Sequence, residues 1–298
     1  MKRSTFLRLA LAASASPGLS RSSHAAADKP RKLVLIAGQP SHPPMMHEFR
    51  AGTILLEKRL AEVPGLKVDR HELGWVTDEK TFDDADAVVC FSDGNGRHPL
   101  LQGEGRLDKA ESLVSAGVGF GCMHFGVEVP KDTAGSQFRD WIGGCYENQW
   151  SCNPIWDATF DQFPEHPITR GMTPFTIKDE WYFNMRFRND NVGEITPLLI
   201  ATPSDKVRNG PYVWPKGPYK HIQKNKGRSE TMMWSYVREN EGRGFGFTGG
   251  HKHVNWGNDN YRKAVLNGLL WVAKAKVPTN GVKSTITDKE LKVNLDKK

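Results

Sequence analysis

Three short apolar runs, each cut off by glycine or turn residues, limit what this chain can fold into more than any other feature. KLVLIA at residues 32–37 stops at Gly38, DAVVCF at 86–91 stops at SDGNG, and VGFGC at 118–122 runs into MHFG. Runs this short and this continuously apolar read as strands buried on both faces. Between them, residues 47–63 carry Phe49, Leu56, Leu60 and Val63 at helical spacing, and residues 104–116 carry Leu107, Ala110 and Val114 on one helical face. Lys67 to Leu73 reads as one more strand. The resulting β-α-β-β-α-β order predicts a mostly parallel sheet covered by helices on both faces.

The second half is less regular. Residues 130–175 are rich in Gly, Trp, Pro and Asn and are expected to form long loops with short helices. Ile195 to Ala201, Met232 to Val237 and Gly244 to Thr248 are strand candidates. Asn258 to Ala273 reads as an amphipathic helix with Tyr261, Val265, Leu269 and Val272 inward. Residues 205–229 hold three prolines, five lysines and little core material. A stretch of that length reads either as a flap carrying Tyr212, Trp214 and Tyr219 over a site or as a solvated insertion.

The first 27 residues read as an export signal: basic Lys2, Arg3 and Arg8, a short apolar run from Phe6 to Ala15, then small residues at Ala25 to Ala27. This places the mature chain in the periplasm or outside the cell. Removing it leaves 37 basic against 34 acidic side chains, so the formal net charge falls from +7 to +3. No basic stripe accompanies a recognition motif, so nucleic acid is not an expected partner. No later segment is apolar over a length that spans a bilayer. Residues 28–275 are expected to form one domain, and residues 276–298 a surface-lying or flexible tail. Cys90 reads as a buried small hydrophobe, whereas Cys145 and Cys152 flank a loop that a disulfide could close, although spacing alone does not establish one.

Ligand sites in open parallel sheets form beyond the carboxyl ends of the strands. Gln39, Ser41, His42, His47 and Glu48 follow the first strand, and Ser92, Asp93, Asn95 and Arg97 follow the third. His124 follows the fourth, and His251, His253, Asn255 and Trp256 follow the GFGFT run. Five of the nine histidines outside the leader thus fall just past apolar strands. Histidine is both the commonest neutral-pH proton carrier and the commonest metal ligand. Singly, each has an ordinary structural reading in a turn or helix start; together they favour a site.

The stretch VGFGCMHFG resembles the strand-to-helix elbow on which α/β enzymes mount a nucleophile, with the pattern small-x-apex-x-Gly. Cys122-Met123-His124-Phe125-Gly126 fits with His124 at the apex. Cys122 does not fit there, because Phe120 and His124 would occupy positions that need small residues. His124 stands where a glutaminase carries its cysteine, so thiol chemistry is disfavoured.

With these motifs assembled, the chain resembles the trehalose-utilisation (ThuA-like) family. The matching pieces are His47-Glu48-Phe49, Met123-His124-Phe125-Gly126, His166-Pro167-Ile168-Thr169-Arg170-Gly171, Asp179-Glu180-Trp181-Tyr182 and Gly250-His251, spread over residues 32–275. The resemblance implies an α/β, flavodoxin-like or class I glutamine amidotransferase-like three-layer sandwich with a mostly parallel sheet and long loop insertions. It implies sugar metabolism, particularly of keto or otherwise oxidised glucosides, and points to Glu180 as the carboxylate facing the site. The family more often has glycine at the position of Cys122, which keeps a thiol role open.

The leading expectation is an exported sugar-active enzyme performing acid–base chemistry as an isomerase, hydratase or lyase, or hydrolase. Its catalytic residues would be His124, His47, Glu180 and His251, with His42, Glu48, Asp179, Trp181, His253 and Trp256 contacting substrate. Tryptophans in loop-like stretches suit sugar faces, and equally suit stapling loops to a core. His47, His124 and His251 could hold a divalent metal; no tighter ligand motif occurs. The competing expectations are a non-catalytic carbohydrate-binding protein and a thiol hydrolase using Cys122.

Overall fold

A computed structural model describes residues 29–298. The export segment expected at residues 1–27 lies outside the described residues. Strand β1 (Arg31–Ala37) leads into helix α1 (Phe49–Leu60), then β2 (Leu66–His71), β3 (Ala87–Phe91), α2 (Arg106–Ser115) and β4 (Gly119–Met123). Helix α3 (Lys131–Ile142), β5 (Gly144–Cys145), β6 (Ile155–Phe160), β7 (Phe175–Glu180) and β8 (Arg186–Phe187) follow. The chain closes with β9 (Glu194–Ala201), the short helices α4 (Asp205–Arg208) and α5 (Lys220–Gln223), β10 (Glu230–Val237), β11 (Arg243–Phe247) and α6 (Asp259–Val272).

The main sheet has seven strands in the order β2-β1-β3-β4-β11-β10-β9. The first five are mutually parallel; at one edge β10 pairs antiparallel with β11, and β9 pairs antiparallel with β10. Side chains alternate across β1, so Leu33, Leu35 and Ala37 face α1 and α6, whereas Val34 and Ile36 face α2 and α3. All five are fully buried, each larger one contributing about 1.5–3 kcal/mol of transfer free energy. A three-layer α/β sandwich follows, as the apolar runs predicted. The order reverses between β1 and β3, which is where such sheets open a crevice.

The segment 130–175 departs from the loop-rich expectation. It contains the three-turn helix α3, whose apolar stripe of Ala134, Phe138, Trp141 and Ile142 lies at helical spacing among polar residues. It also contains β6, in strict exposed–buried alternation, paired antiparallel with β7 outside the main sheet. Cys145 and Cys152 are both free and buried, and belong to different core clusters, so the bridge across their loop is not formed. Residues 276–298 run back over the domain, pinned by buried Val277, Val282 and Leu291. Among the described residues, no helix is long and apolar enough to cross a membrane.

Candidate functional site

The carboxyl ends of β1, β3, β4 and β11 converge on one edge of the sheet. The loop after β1 carries His42 and His47, the loop after β3 carries Asp93, the turn after β4 carries His124, and the loop after β11 carries His251. His124 begins a 3₁₀ turn, His124–Val127, directly at the end of its strand, with φ of 55°. His42, Met45 and His47 also have positive φ, at 61°, 66° and 48°. Non-glycine residues in the left-handed region are uncommon, and four in two loops of one site mark a backbone held by its surroundings. Two glycines allow the loops to close on one another. A Cβ at Gly94 would lie 2.0 Å from the Phe125 carbonyl oxygen, and Gly250, with φ of 123°, passes where a Cβ would stand 3.0 Å from that of His124.

Four side chains meet at the centre. His47 Nε2 lies 3.0 Å from His124 Nε2 and 3.0 Å from His251 Nδ1. Glu180, at the end of β7, places Oε2 2.7 Å from His251 Nδ1 and 3.6 Å from His124 Nε2. All four residues are buried, and their ligand atoms lie within 4.8 Å of one another. The cluster is therefore a set that could hold a metal ion.

The partners of the outer ring nitrogens fix the tautomers. His47 Nδ1 donates to Asp93 Oδ1 at 3.1 Å, and His124 Nδ1 donates to the Thr248 carbonyl at 3.0 Å. A neutral imidazole that donates from Nδ1 carries a bare lone pair on Nε2. Burial, reinforced by the neighbouring histidines, pushes both rings well below the usual histidine range, so an extra proton does not relieve the contact. Two acceptor nitrogens thus face each other at hydrogen-bond distance with no hydrogen between them. Burial raises the Glu180 carboxyl, and its contact with His251 opposes that shift. A cation among these atoms would satisfy both nitrogens and compensate the carboxylate. Outer hydrogen bonds from metal-bound histidines to carboxylate and carbonyl groups are the usual companions of such sites.

His47, His251 and Glu180 floor a cavity of about 250 Å³ whose walls include Asn95, Arg97, Phe125, Glu128, Asn153, Tyr182 and Trp214, with His124 buried directly beneath. Tyr182 lays its ring beside His124, with the hydroxyl 3.4 Å from Nε2. Asn153 donates to Glu180 Oε1 at 2.9 Å and accepts from the Trp214 backbone N–H at 3.1 Å. That second bond fastens the 205–229 segment to the site. The indole of Trp214 is 70% exposed at the cavity mouth. Tyr212 instead turns into the core, and Tyr219 stacks on His221, so of the three flap aromatics only Trp214 reaches the cavity.

His42 lines the cavity, stacked on His47 at 3.5 Å. The other expected substrate contacts lie elsewhere. Glu48 is buried and turned towards the C-terminal segment, accepting from Met45 N, Asp296 N and Lys298 Nζ. Asp179 points to the opposite side of β7 from Glu180, as strand alternation requires, and accepts from Gly250 N, Lys252 N and the Tyr261 hydroxyl. It shapes the loop holding His251. Trp181 and Trp256 are core residues, packed around Tyr261. His253 is buried away from the cavity, with neither ring nitrogen hydrogen-bonded among the described residues. Cys122 is fully buried, burial holds its thiol well above the usual range, and the sulfur faces His98 at 4.0 Å rather than the cavity. A nucleophilic role for it is not supported.

The family model for trehalose utilisation, ThuA, matches residues 38–272. The chain belongs to the ThuA family. Two solved ThuA-like structures share its fold. One, from Bacteroides uniformis ATCC 8492, is 17% identical with a TM-score of 0.58, over 83% of this chain and 93% of the other. The second, from Parabacteroides merdae ATCC 43184, is 16% identical with a TM-score of 0.54, over 89% of this chain and 100% of the other. No curated protein matches the chain. The ThuA match spans every residue of the histidine–glutamate cluster.

Proposed function

We propose that this protein is an exported enzyme that performs metal-assisted acid–base chemistry on a keto-sugar or oxidised glucoside, with His47, His124, His251 and Glu180 holding a divalent ion. The observation that carries the reading is the 3.0 Å approach of the His47 and His124 Nε2 atoms, with the Nδ1 atom of each ring already engaged by Asp93 and by the Thr248 carbonyl. A divalent ion bound there would supply Lewis acidity towards a carbonyl or hydroxyl oxygen. Asp93 and the Thr248 carbonyl orient the two imidazoles, and Asn153 orients Glu180. The Tyr182 hydroxyl is within reach of a group bound beside His124.

The sugar assignment draws on the family description, trehalose utilisation, and on the cavity. Its wall combines an exposed indole with amide, guanidinium and carboxyl groups, a mixture that suits a ring with apolar faces and a hydroxyl edge. Isomerisation, hydration or elimination, and hydrolysis all begin from the same polarised carbonyl or glycosidic centre. Export is supported by the basic, apolar and small-residue order of residues 1–27.

The test is metal analysis of the purified protein alongside turnover of a panel of ring-oxidised glucosides. His124→Ala is expected to lose the metal and to lower turnover by ~10²–10⁴-fold, with chelator treatment of the wild type giving the same result. Turnover that survives chelation and His124→Ala overturns the metal reading. Sugar binding without turnover, unchanged by His124→Ala, identifies a binding protein instead.

A further inference from the structure

Two carboxyl groups, Glu128 and Glu180, line the cavity and a third, Asp93, stands behind His47, and their partners differ. Asp93 is fully engaged: Oδ1 accepts from Ser41 at 2.9 Å and His47 at 3.1 Å, and Oδ2 pairs with Arg97 at 3.3 Å. Glu180 is likewise committed, Oε1 to Asn153 and Oε2 to the histidines. Glu128 differs. It stands at the end of the turn that begins with His124, so the elbow that fixes the histidine also fixes this carboxyl. Its Oε1 accepts from Asn95 Nδ2 at 2.9 Å, and the Asn95 backbone N–H donates to the Glu128 carbonyl at 2.8 Å. Its Oε2 has no hydrogen-bond or ion-pair partner among the described residues, yet the residue lines the cavity.

We propose that Glu128 is the proton-transfer residue of this site, its Oε2 taking a proton from substrate carbon and returning it across the cavity from the histidine–glutamate cluster. The inference rests on the acid–base reading above and assigns one role within it. Burial raises the Glu128 carboxyl above the usual carboxylate range, against the Asn95 hydrogen bond. With Oε1 held by Asn95 and Oε2 free at the cavity wall, the group is placed both to accept and to give a proton, as general acid–base catalysis requires. In the step, the C–H bond beside a substrate ketone breaks and its proton bonds to Glu128 Oε2. The electron pair of that bond passes to the carbonyl oxygen, giving an enolate. The pair then flows back, the proton returns to carbon, and the carboxylate is regenerated with no oxidant or reductant consumed. In D₂O the carboxyl exchanges with solvent, so a deuteron returns instead.

The probe is a methyl glucoside oxidised to a ketone at one ring carbon, followed by NMR in D₂O for loss of the adjacent C–H signal above the enzyme-free rate. Wild-type protein is expected to catalyse the exchange. Glu128→Gln should slow it by ~10²–10⁴-fold with metal content and circular dichroism unchanged, and Glu128→Asp should recover part of the rate. His124→Ala should lose exchange and metal together. A Glu128→Gln variant within about threefold of wild type overturns the assignment, and so does one that loses its metal, because Glu128 would then support the cluster. Persistence of exchange in His124→Ala overturns the metal reading while leaving Glu128 in place. No exchange by the wild type removes both.

Discussion

Replacing Asp93 with asparagine tests whether the His47 ring is prepared to bind a cation. Asp93 Oδ1 accepts from His47 Nδ1 at 3.1 Å, and the carboxylate is buried against Ser41 and the stacked His42. Asparagine keeps the shape and leaves an amide oxygen to accept the same hydrogen bond, so the His47 tautomer survives. What disappears is the negative charge that makes Nε2 a stronger donor to a metal. Loss of such an outer carboxylate typically costs 10–100-fold in metal affinity, or about 1.4–2.7 kcal/mol. Arg97 loses its ion pair too, but its side chain is 67% exposed, and a pair of that kind adds little to stability. The affinity of the metal-stripped protein for zinc would be measured by competition with a chromophoric chelator, beside a thermal melt. The expected result is 10–100-fold weaker binding with a melting temperature within a few degrees of wild type. Equal affinity in the two proteins would refute the role given to Asp93 and weaken the case for His47 as a ligand.

Two further outcomes follow from burial. His98 and His253 are held neutral by desolvation, at about 3 and about 4. The unfolded chain binds their protons near 6.5, so their stabilising effect is complete above that pH and is lost as pH falls from 6.5 towards about 4 for His253 and about 3 for His98. His253→Leu should flatten this acid limb in urea titrations by up to about 3 kcal/mol at pH 4; an unchanged limb would show that His253 is not buried neutral. Cys122 should resist iodoacetamide in the folded protein, with activity retained, as mass spectrometry of the labelled peptides would show. Stoichiometric labelling of Cys122 with loss of activity would contradict its burial.

The fold and the centre of the site were legible for one shared reason. Continuous apolar runs specify parallel strands, parallel strands bring their carboxyl ends to one edge, and His47, His124 and His251 lie in the segments after three of those ends. Strand alternation also separates Glu180 from Asp179, and the structure sends them to opposite sides of β7. The residues that the structure places outside the cavity are those whose local setting matched a site but whose apolar surface or charge is taken up by packing. Trp181 and Trp256 fill the core around Tyr261, and Glu48 binds the returning C-terminal segment. The cavity walls were harder to read. Trp214 was among three aromatics that a flap could bring to a site, but its place and that of Asn153 depend on two loops fixing each other, which no local pattern encodes. Glu128 did carry a signal, lying four residues after the elbow histidine. Helix α3 was legible in the spacing of Ala134, Phe138 and Trp141, but its Gly, Ser and Asp content hid it.

The most direct test is anomalous diffraction from crystals of this protein grown or soaked with zinc or manganese. A single strong peak should lie among His47 Nε2, His124 Nε2, His251 Nδ1 and a Glu180 oxygen, with zinc–nitrogen distances of about 2.0–2.1 Å, and be absent from crystals of His124→Ala. A cluster that stays free of anomalous signal at saturating metal, with the His47 and His124 nitrogens still in contact, would contradict the assignment of these four residues as a metal site.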